Sequence, residues 1–153
     1  KEKYVHDIIG FNSRMEGIQG AVLNAKLKHL DEWTEKRRDK AKIYNKLLSG
    51  IVETPVEKTD RKHVYHLYVT RVKNRENLMN FLKEKGVSTS LHYPIPIHLQ
   101  KAFSYLNYNK GSFPITENAV NNILSLPIYP ELNEEQIKYV CDNIKEFYNR
   151  EFK

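Results

Sequence analysis

The chain has 153 residues and a formal net charge of +6, with 40% hydrophobic and 29% charged residues. That length suits one domain with a real core, and no apolar run approaches the length needed to span a membrane. A single cysteine, Cys141, excludes an internal disulfide framework and fits a reducing cytoplasm.

The chain opens on Lys-Glu-Lys-Tyr-Val-His, without an initiator Met or a signal-peptide pattern, and is expected to be a piece of a longer protein. Residues 1–11 read as a connector anchored through Tyr4, Val5, Ile8, Ile9 and Phe11, with Gly10 allowing a turn. Asn12 or Ser13 can cap a helix, because their short side chains accept a bond from an orphan backbone N–H. From there Met15, Ile18, Val22, Ala25, Leu30, Trp33, Ala41, Tyr44 and Leu48 follow helical spacing, which predicts one helix as far as Leu48. Such a helix would be roughly 50 Å long and would bridge two bodies or lie in an interface. Gly17 and Gly20 within it either admit the close approach of another backbone or only weaken its first turns. Lys36, Arg37, Arg38, Lys40 and Lys42 supply part of the net charge; with Glu35 and Asp39 interleaved they read as a solvated helix face. No RNA-binding aromatic signature or zinc-finger spacing accompanies them.

Gly50 ends the helix and a polar connector comes next. Residues 64–72 are rich in β-branched and aromatic side chains and read as a strand. Asn74 can cap the next helix, whose apolar face is Leu78, Phe81 and Leu82 and which stops at Gly86. Residues 87–91 read as a second strand, 99–106 as a short helix, and Thr116 as the cap of a helix through Ile123. Residues 124–128 are a third strand, confined by Pro127 to an edge or an end. Asn133 and Gln136 form a capping-box pattern. The last helix buries Ile137, Val140, Cys141, Ile144 and Phe147 or Tyr148. The fold class is α+β: a long N-terminal helix and a small, mostly antiparallel sheet covered by helices, divided into residues 1–50 and 51–153.

Between the second strand and the short helix lies Leu-His-Tyr-Pro-Ile-Pro-Ile-His-Leu, residues 91–99. Two prolines two apart hold this stretch extended and exclude helix, so His92, Tyr93 and His98 are presented in fixed directions. His63 and His66 are an odd spacing apart in a predicted strand and point to opposite faces, and the loop offers no Cys, Asp or Glu, so no metal site is expected. Gly-rich phosphate loops, nucleophile elbows and His-Glu-x-x-His motifs are missing. A phosphate could be met at the start of the long helix, beside Asn12 and Arg14; spacing alone favours an ordinary cap there.

Gly10-Phe-Asn12-Ser-Arg14-Met-Glu-Gly-Ile-Gln19 resembles the Gly-x-Asn-x-Arg-Met-x-x-x-Gln stretch of the DegT/DnrJ/EryC1/StrS aminotransferases, pyridoxal-phosphate enzymes of fold type I that aminate nucleotide-linked keto sugars. Further blocks match in the same order. They are Leu30-Asp-x-Trp33 with Arg37-Arg38 and Ala41-x-x-Tyr44, then Tyr65-His-Leu-Tyr68, His92-Tyr-Pro-x-Pro-x-His98, Phe113-Pro-x-x-Glu117 and Ser125-Leu-Pro-x-Tyr-Pro130. Gly17 and Gly20 depart from the family, which more often shows Glu or Asp and Ala there.

The resemblance implies the small C-terminal domain of a fold type I aminotransferase. The cofactor lysine, the aspartate at the pyridine nitrogen and the ring-stacking aromatic would lie upstream, so no residue of this chain is expected to be catalytic. By resemblance Asn12 reaches across a homodimer to the phosphate of pyridoxal 5'-phosphate in the partner subunit, with Arg14 in a supporting or substrate-side role. His92 and Tyr93 face the sugar nucleotide or the cofactor pocket, His98 orients the loop or the ligand, and His66 is structural. The implied partners are a nucleotide sugar, an amino-acid donor (usually glutamate) and a second copy of the chain in the cytoplasm, with neither nucleic acid nor membrane involved. Two alternatives stand beside this reading: a sugar dehydratase of the same family with histidine in place of the cofactor lysine, and a non-catalytic anion-binding or dimerisation module.

Overall fold

The computed structural model describes residues 3–151. In chain order it shows α1 (Gly17–Leu27), α2 (Leu30–Leu48), β1 (Tyr68–Arg71), α3 (Arg75–Glu84), α4 (Pro114–Asn122), β2 (Ile123–Leu126) and α5 (Glu134–Glu151). Two 3-10 turns, Ile97–Leu99 and Lys101–Leu106, lie between α3 and α4. The expected class holds: helices packed about a small antiparallel sheet. No helix among the described residues is long and apolar enough to cross a membrane.

The core forms where the apolar stripes of α2, α3 and α5 meet the sheet. α5 starts on the capping box the sequence predicts: Asn133 N–H donates to Gln136 Oε1 at 3.0 Å and Gln136 N–H to Asn133 Oδ1 at 2.8 Å. The helix then buries Ile137, Val140, Cys141, Ile144, Phe147 and Tyr148. α2 and α3 both pack on α5, contributing Ala41, Tyr44, Leu48, Leu78 and Leu82. Each such leucine contributes about 1.5–3 kcal/mol by leaving water. Tyr44 stacks on Tyr68 of β1 with ring centroids 4.8 Å apart. Both buried hydroxyls are satisfied, Tyr44 by the Pro127 carbonyl at 2.9 Å and Tyr68 by Asn45 Oδ1 at 2.6 Å. Gly50 and Gly86, each at φ 74°, take the left-handed turns that release the chain from α2 and α3.

Several sequence expectations are corrected. The long helix begins at Gly17 rather than at Asn12 or Ser13, and it is divided at Lys28–His29. There the backbone of His29 (φ −107°, ψ −2°) enters the bridge region, and its N–H donates to the Lys26 carbonyl, a tightened turn. Neither Gly nor Pro marks the break; the two halves differ in what they bury. α2 buries Ala41, Tyr44 and Leu48, whereas α1 buries none of its residues among those described. Nothing approaches within 4 Å of a side chain built at Gly17.

The sheet is smaller than expected. β1 and β2 pair antiparallel with Tyr68 opposite Leu126 and Arg71 opposite Ile123. The predicted strand over 64–72 starts only at Tyr68, because Tyr65 turns into the left-handed region (φ 48°) with its N–H on His63 Nδ1 at 2.8 Å. His63 and His66 therefore lie outside the strand, and His66 is exposed. Residues 87–91 supply one bridge, Ser90 to Ser125, in place of a strand. The short helix expected over 99–106 is two 3-10 turns, and α4 begins at Pro114, with Thr116 inside it rather than at its cap.

Arg37 and Arg38 are not solvated. Arg37 Nη1 reaches the carbonyls of Ile128 (2.8 Å), Tyr65 and His66 (both 3.5 Å). Arg38 forks onto Glu57 and also donates to the His63 carbonyl. Lys36 and Lys42 keep the solvated role, pairing with Glu32 and Asp39 on the exposed face.

Two measurements test this packing. Leu124→Ala, at a fully buried site on β2, should cost about 2–5 kcal/mol in denaturant unfolding. Burial pushes the Cys141 thiol up to about 12, and the thiolate is the reactive form. Iodoacetamide should therefore leave Cys141 untouched in the native protein and label it on denaturation; fast native labelling would contradict the packing.

Candidate functional site

Residues 91–99 leave the sheet edge just after the Ser90–Ser125 bridge, so β2 sets their starting point. Pro96 is extended (φ −59°, ψ 140°) and buried, as the two prolines predict. Each end of the loop is then fixed by a histidine. His92 Nδ1 meets Ser125 Oγ at 2.9 Å. His98 Nε2 meets Glu117 Oε1 on α4 at 3.0 Å, with both side chains largely buried, and its ring lies edge-on to Phe113 at 4.8 Å. Glu117 also accepts the backbone N–H groups of Gly111 and Phe113, which ties the preceding turn to the same carboxylate.

Between its two anchors the loop projects Tyr93, 59% exposed. The His92–Tyr93 peptide is cis. The N-terminal segment comes back onto this side: the Tyr4 ring is edge-on to Tyr93 at 5.5 Å and to His92 at 6.5 Å. A cleft of about 390 Å³ separates the segment from the loop, lined by Tyr4, Ile8, Tyr93, Ile97, Gln100 and Phe103 among others. A larger cleft of about 860 Å³ lies around Arg71, Lys73 and Lys145, and none of Asn12, Arg14, His92, Tyr93 and His98 lines it.

The structure thus brings the rings of His92 and Tyr93 together with that of Tyr4, and Tyr4 and Tyr93 line the cleft between segment and loop. His98 is turned inward onto Glu117 instead. Asn12 and Arg14 stand apart, on an exposed segment without regular secondary structure ahead of α1. Arg14 Nη1 lies 3.4 Å from Glu16 Oε1, with 84% of its side chain exposed. The start of α1 is closed by its own residues, because Glu16 and Gln19 form a reciprocal capping box, Glu16 N–H donating to Gln19 Oε1 at 2.9 Å. A carboxylate therefore already occupies the positive end of the helix, and any phosphate held here would rest on the Asn12 amide and the segment's backbone rather than on the helix terminus.

Sequence reasoning gave no role to Ser125 or Glu117. The signal for Ser125 is a lone hydroxyl in the apolar run Leu-Ser-Leu, where burial demands a partner. Glu117 offers only an acid near a helix start. Among the described residues no group of three or more His, Cys, Asp or Glu converges as a metal site.

The model of the DegT/DnrJ/EryC1/StrS aminotransferase family matches residues 1–145. A "pleiotropic regulatory protein" of Geobacillus stearothermophilus is 47% identical over 152 residues, 97% of this chain and 41% of that protein. The dTDP-3-amino-3,6-dideoxy-alpha-D-galactopyranose transaminase of Aneurinibacillus thermoaerophilus is 37% identical over 147 residues, 95% of this chain and 40% of that one. The crystal structure of DesV from S. venezuelae superimposes with a TM-score of 0.83 at 37% identity, covering 96% of this chain and 40% of that chain. The chain thus spans about 40% of the length of the relatives it matches.

The Glu117 anchor has a testable pH dependence. The Gly111 amide, then the Phe113 amide and the His98 ring, hold its carboxylate below its ordinary 4.5, against the opposing effect of desolvation. A carboxylate lowered in the folded state contributes stability above its unfolded value and loses it as pH falls through the folded one. The Gly111 and Phe113 amide resonances should therefore report a transition whose midpoint lies below 4.5, and Glu117→Gln should abolish it. A transition above 4.5 would show that these bonds do not hold the ionised form.

Proposed function

The chain belongs to the DegT/DnrJ/EryC1/StrS aminotransferase family, and we propose from this premise that it is the C-terminal part of a pyridoxal-phosphate sugar aminotransferase. The intact protein moves an amino group from an amino acid, glutamate in the usual case, to a keto sugar carried on a nucleotide. What carries the reading is the family match over residues 1–145, which takes in every residue the geometry gathers. Pyridoxal phosphate, when bound, supplies the electron sink for the transfer.

The residues present fit such a group in two places. The cleft beside Tyr93 is lined mostly by rings and aliphatic chains, and suits a sugar or a planar ring. The exposed Asn12 amide, on a segment with no helix end of its own to cap, suits a phosphate oxygen presented from outside the chain. In this reading Asn12 holds the cofactor phosphate of a second subunit and Arg14 supports it from the exposed side. Tyr93 contacts the nucleotide sugar. His92, with Nδ1 committed to Ser125, offers Nε2 to the ligand. His98 serves through its bond to Glu117, holding the loop on α4. The protein acts as a homodimer in the cytoplasm, where the single buried thiol Cys141 stays reduced.

The test uses the full-length protein. It should be yellow, should trap its cofactor on a lysine after borohydride, and should aminate a nucleotide-linked keto sugar with glutamate. A colourless protein that takes up no cofactor would overturn the reading; a yellow one giving no trapped lysine would replace it with the dehydratase. Asn12→Ala should weaken cofactor retention about tenfold or more. Mixing Asn12→Ala subunits with subunits lacking the cofactor lysine should restore one working site per mixed dimer. No restoration would place Asn12 in its own subunit's site.

A further inference from the structure

We propose that Gln100 is a positioning residue: it clamps residues 4–6 against the loop and so sets where Asn12 stands relative to Tyr93. The proposal rests on the roles given above to Asn12 and Tyr93.

Gln100 comes directly after the Ile97–Leu99 turn, and its N–H donates to the Ile97 carbonyl at 3.1 Å, which fixes the residue's own backbone. Its side-chain amide is used at both ends. Oε1 accepts the His6 N–H at 3.0 Å, and Nε2 donates to the Tyr4 carbonyl at 2.8 Å. A primary amide carries an acceptor and a donor side by side, so it can pair with a backbone N–H and a nearby C=O as a strand edge would. Two residues on, the Ala102 N–H donates to the His6 carbonyl at 3.0 Å and extends the pairing. Lys101 Nζ lies 3.7 Å from Asp7 Oδ1 beside it.

These bonds join positions more than ninety residues apart in the chain. Ile8, Ile9 and Phe11 are 80%, 54% and 96% exposed, so apolar burial does not fix the segment's course. Tyr4 contributes its edge-on contact with Tyr93, and that contact depends on the carbonyl that Gln100 holds. Asn12 stands only a few residues beyond the clamp, so the phosphate-side amide and the substrate-side ring share one support. Loosening Gln100 should disturb both together.

The experiment compares Gln100→Leu, Gln100→Glu and Asn12→Ala in the full-length protein. Exchange of the 4–8 amides, cofactor release, the KM for the nucleotide sugar and the melting temperature are read for each. Gln100→Leu should speed exchange in 4–8 and cofactor release about tenfold and raise KM, with the melting temperature little changed. Gln100→Glu, which keeps the volume and the acceptor but loses the donor to Tyr4, should do the same in smaller measure. Adding Gln100→Leu to Asn12→Ala should speed release little further, because both act through one contact. If Asn12→Ala loosens the cofactor and neither Gln100 variant does, the clamp is wrong and the proposed function stands. If Asn12→Ala leaves release unchanged, the assignment of Asn12 fails and the clamp fails with it. A lowered melting temperature without faster exchange in 4–8 would make Gln100 merely structural and overturn the proposal.

Discussion

Ser125 commits every polar atom it has. Its amide and carbonyl both go to Ser90, and its hydroxyl meets His92 Nδ1. It is only 5% exposed, between two leucines that are themselves buried. An unsatisfied polar group at such a depth costs about 1–3 kcal/mol, so the strand can hold a serine only while the loop supplies its partners. Strand side chains alternate, and Leu124 and Leu126 take the other face of β2 from the serine. The loop and the core therefore bear on the same residue from opposite sides. Moving β2 by one position would expose the leucines and abandon His92 in a single step.

Polar cross-links, more than apolar area, hold the rest of the functional side. Pro96 is the one buried residue of the 91–99 loop among those described. The fixing is done by Ser125 of β2 at one end and Glu117 of α4 at the other. α2 works in the same manner through Arg37, whose single Nη1 meets three carbonyls from two separate stretches of chain. Each such bond is worth about 0.5–1.5 kcal/mol net, more where a charge is involved. Their number matters less than their placement, since they pin segments whose backbones no ladder pairs.

The parts of this arrangement that were legible in the sequence are those that local chemistry dictates. The stripe of α5, its Asn133–Gln136 cap, the glycines that end α2 and α3 and the proline-stiffened loop need no distant partner to declare themselves. Long-range contacts misled in two places. The run 64–72 has strand chemistry throughout, but Tyr65 is turned aside beside His63, and the carbonyls of both meet arginines of α2. Arg37 and Arg38 have the spacing of a solvated face and are drawn inward by carbonyls that only the fold brings near. The loop histidines could be named from sequence, together with the motif that carries them. Which way each faces could not, because Ser125 and Glu117 come from elements later in the chain.

α1 is the counter-example to all this anchoring. It leaves Ile18, Val22, Leu23 and Leu27 between 52% and 81% exposed, and the turn at Lys28–His29 separates it from the packed length of α2. The two helices therefore answer to different selection. A change at Tyr44 or Leu48 is judged by this domain's own folding, whereas a change at Ile18 or Leu27 is judged only by whatever surface covers it. Sequence drift along α1 should accordingly track drift in its covering surface and leave the domain's interior untouched. Across relatives, α1 would diverge in step with a partner while α2 stays fixed, a boundary in evolutionary rate drawn at a turn that neither glycine nor proline announces.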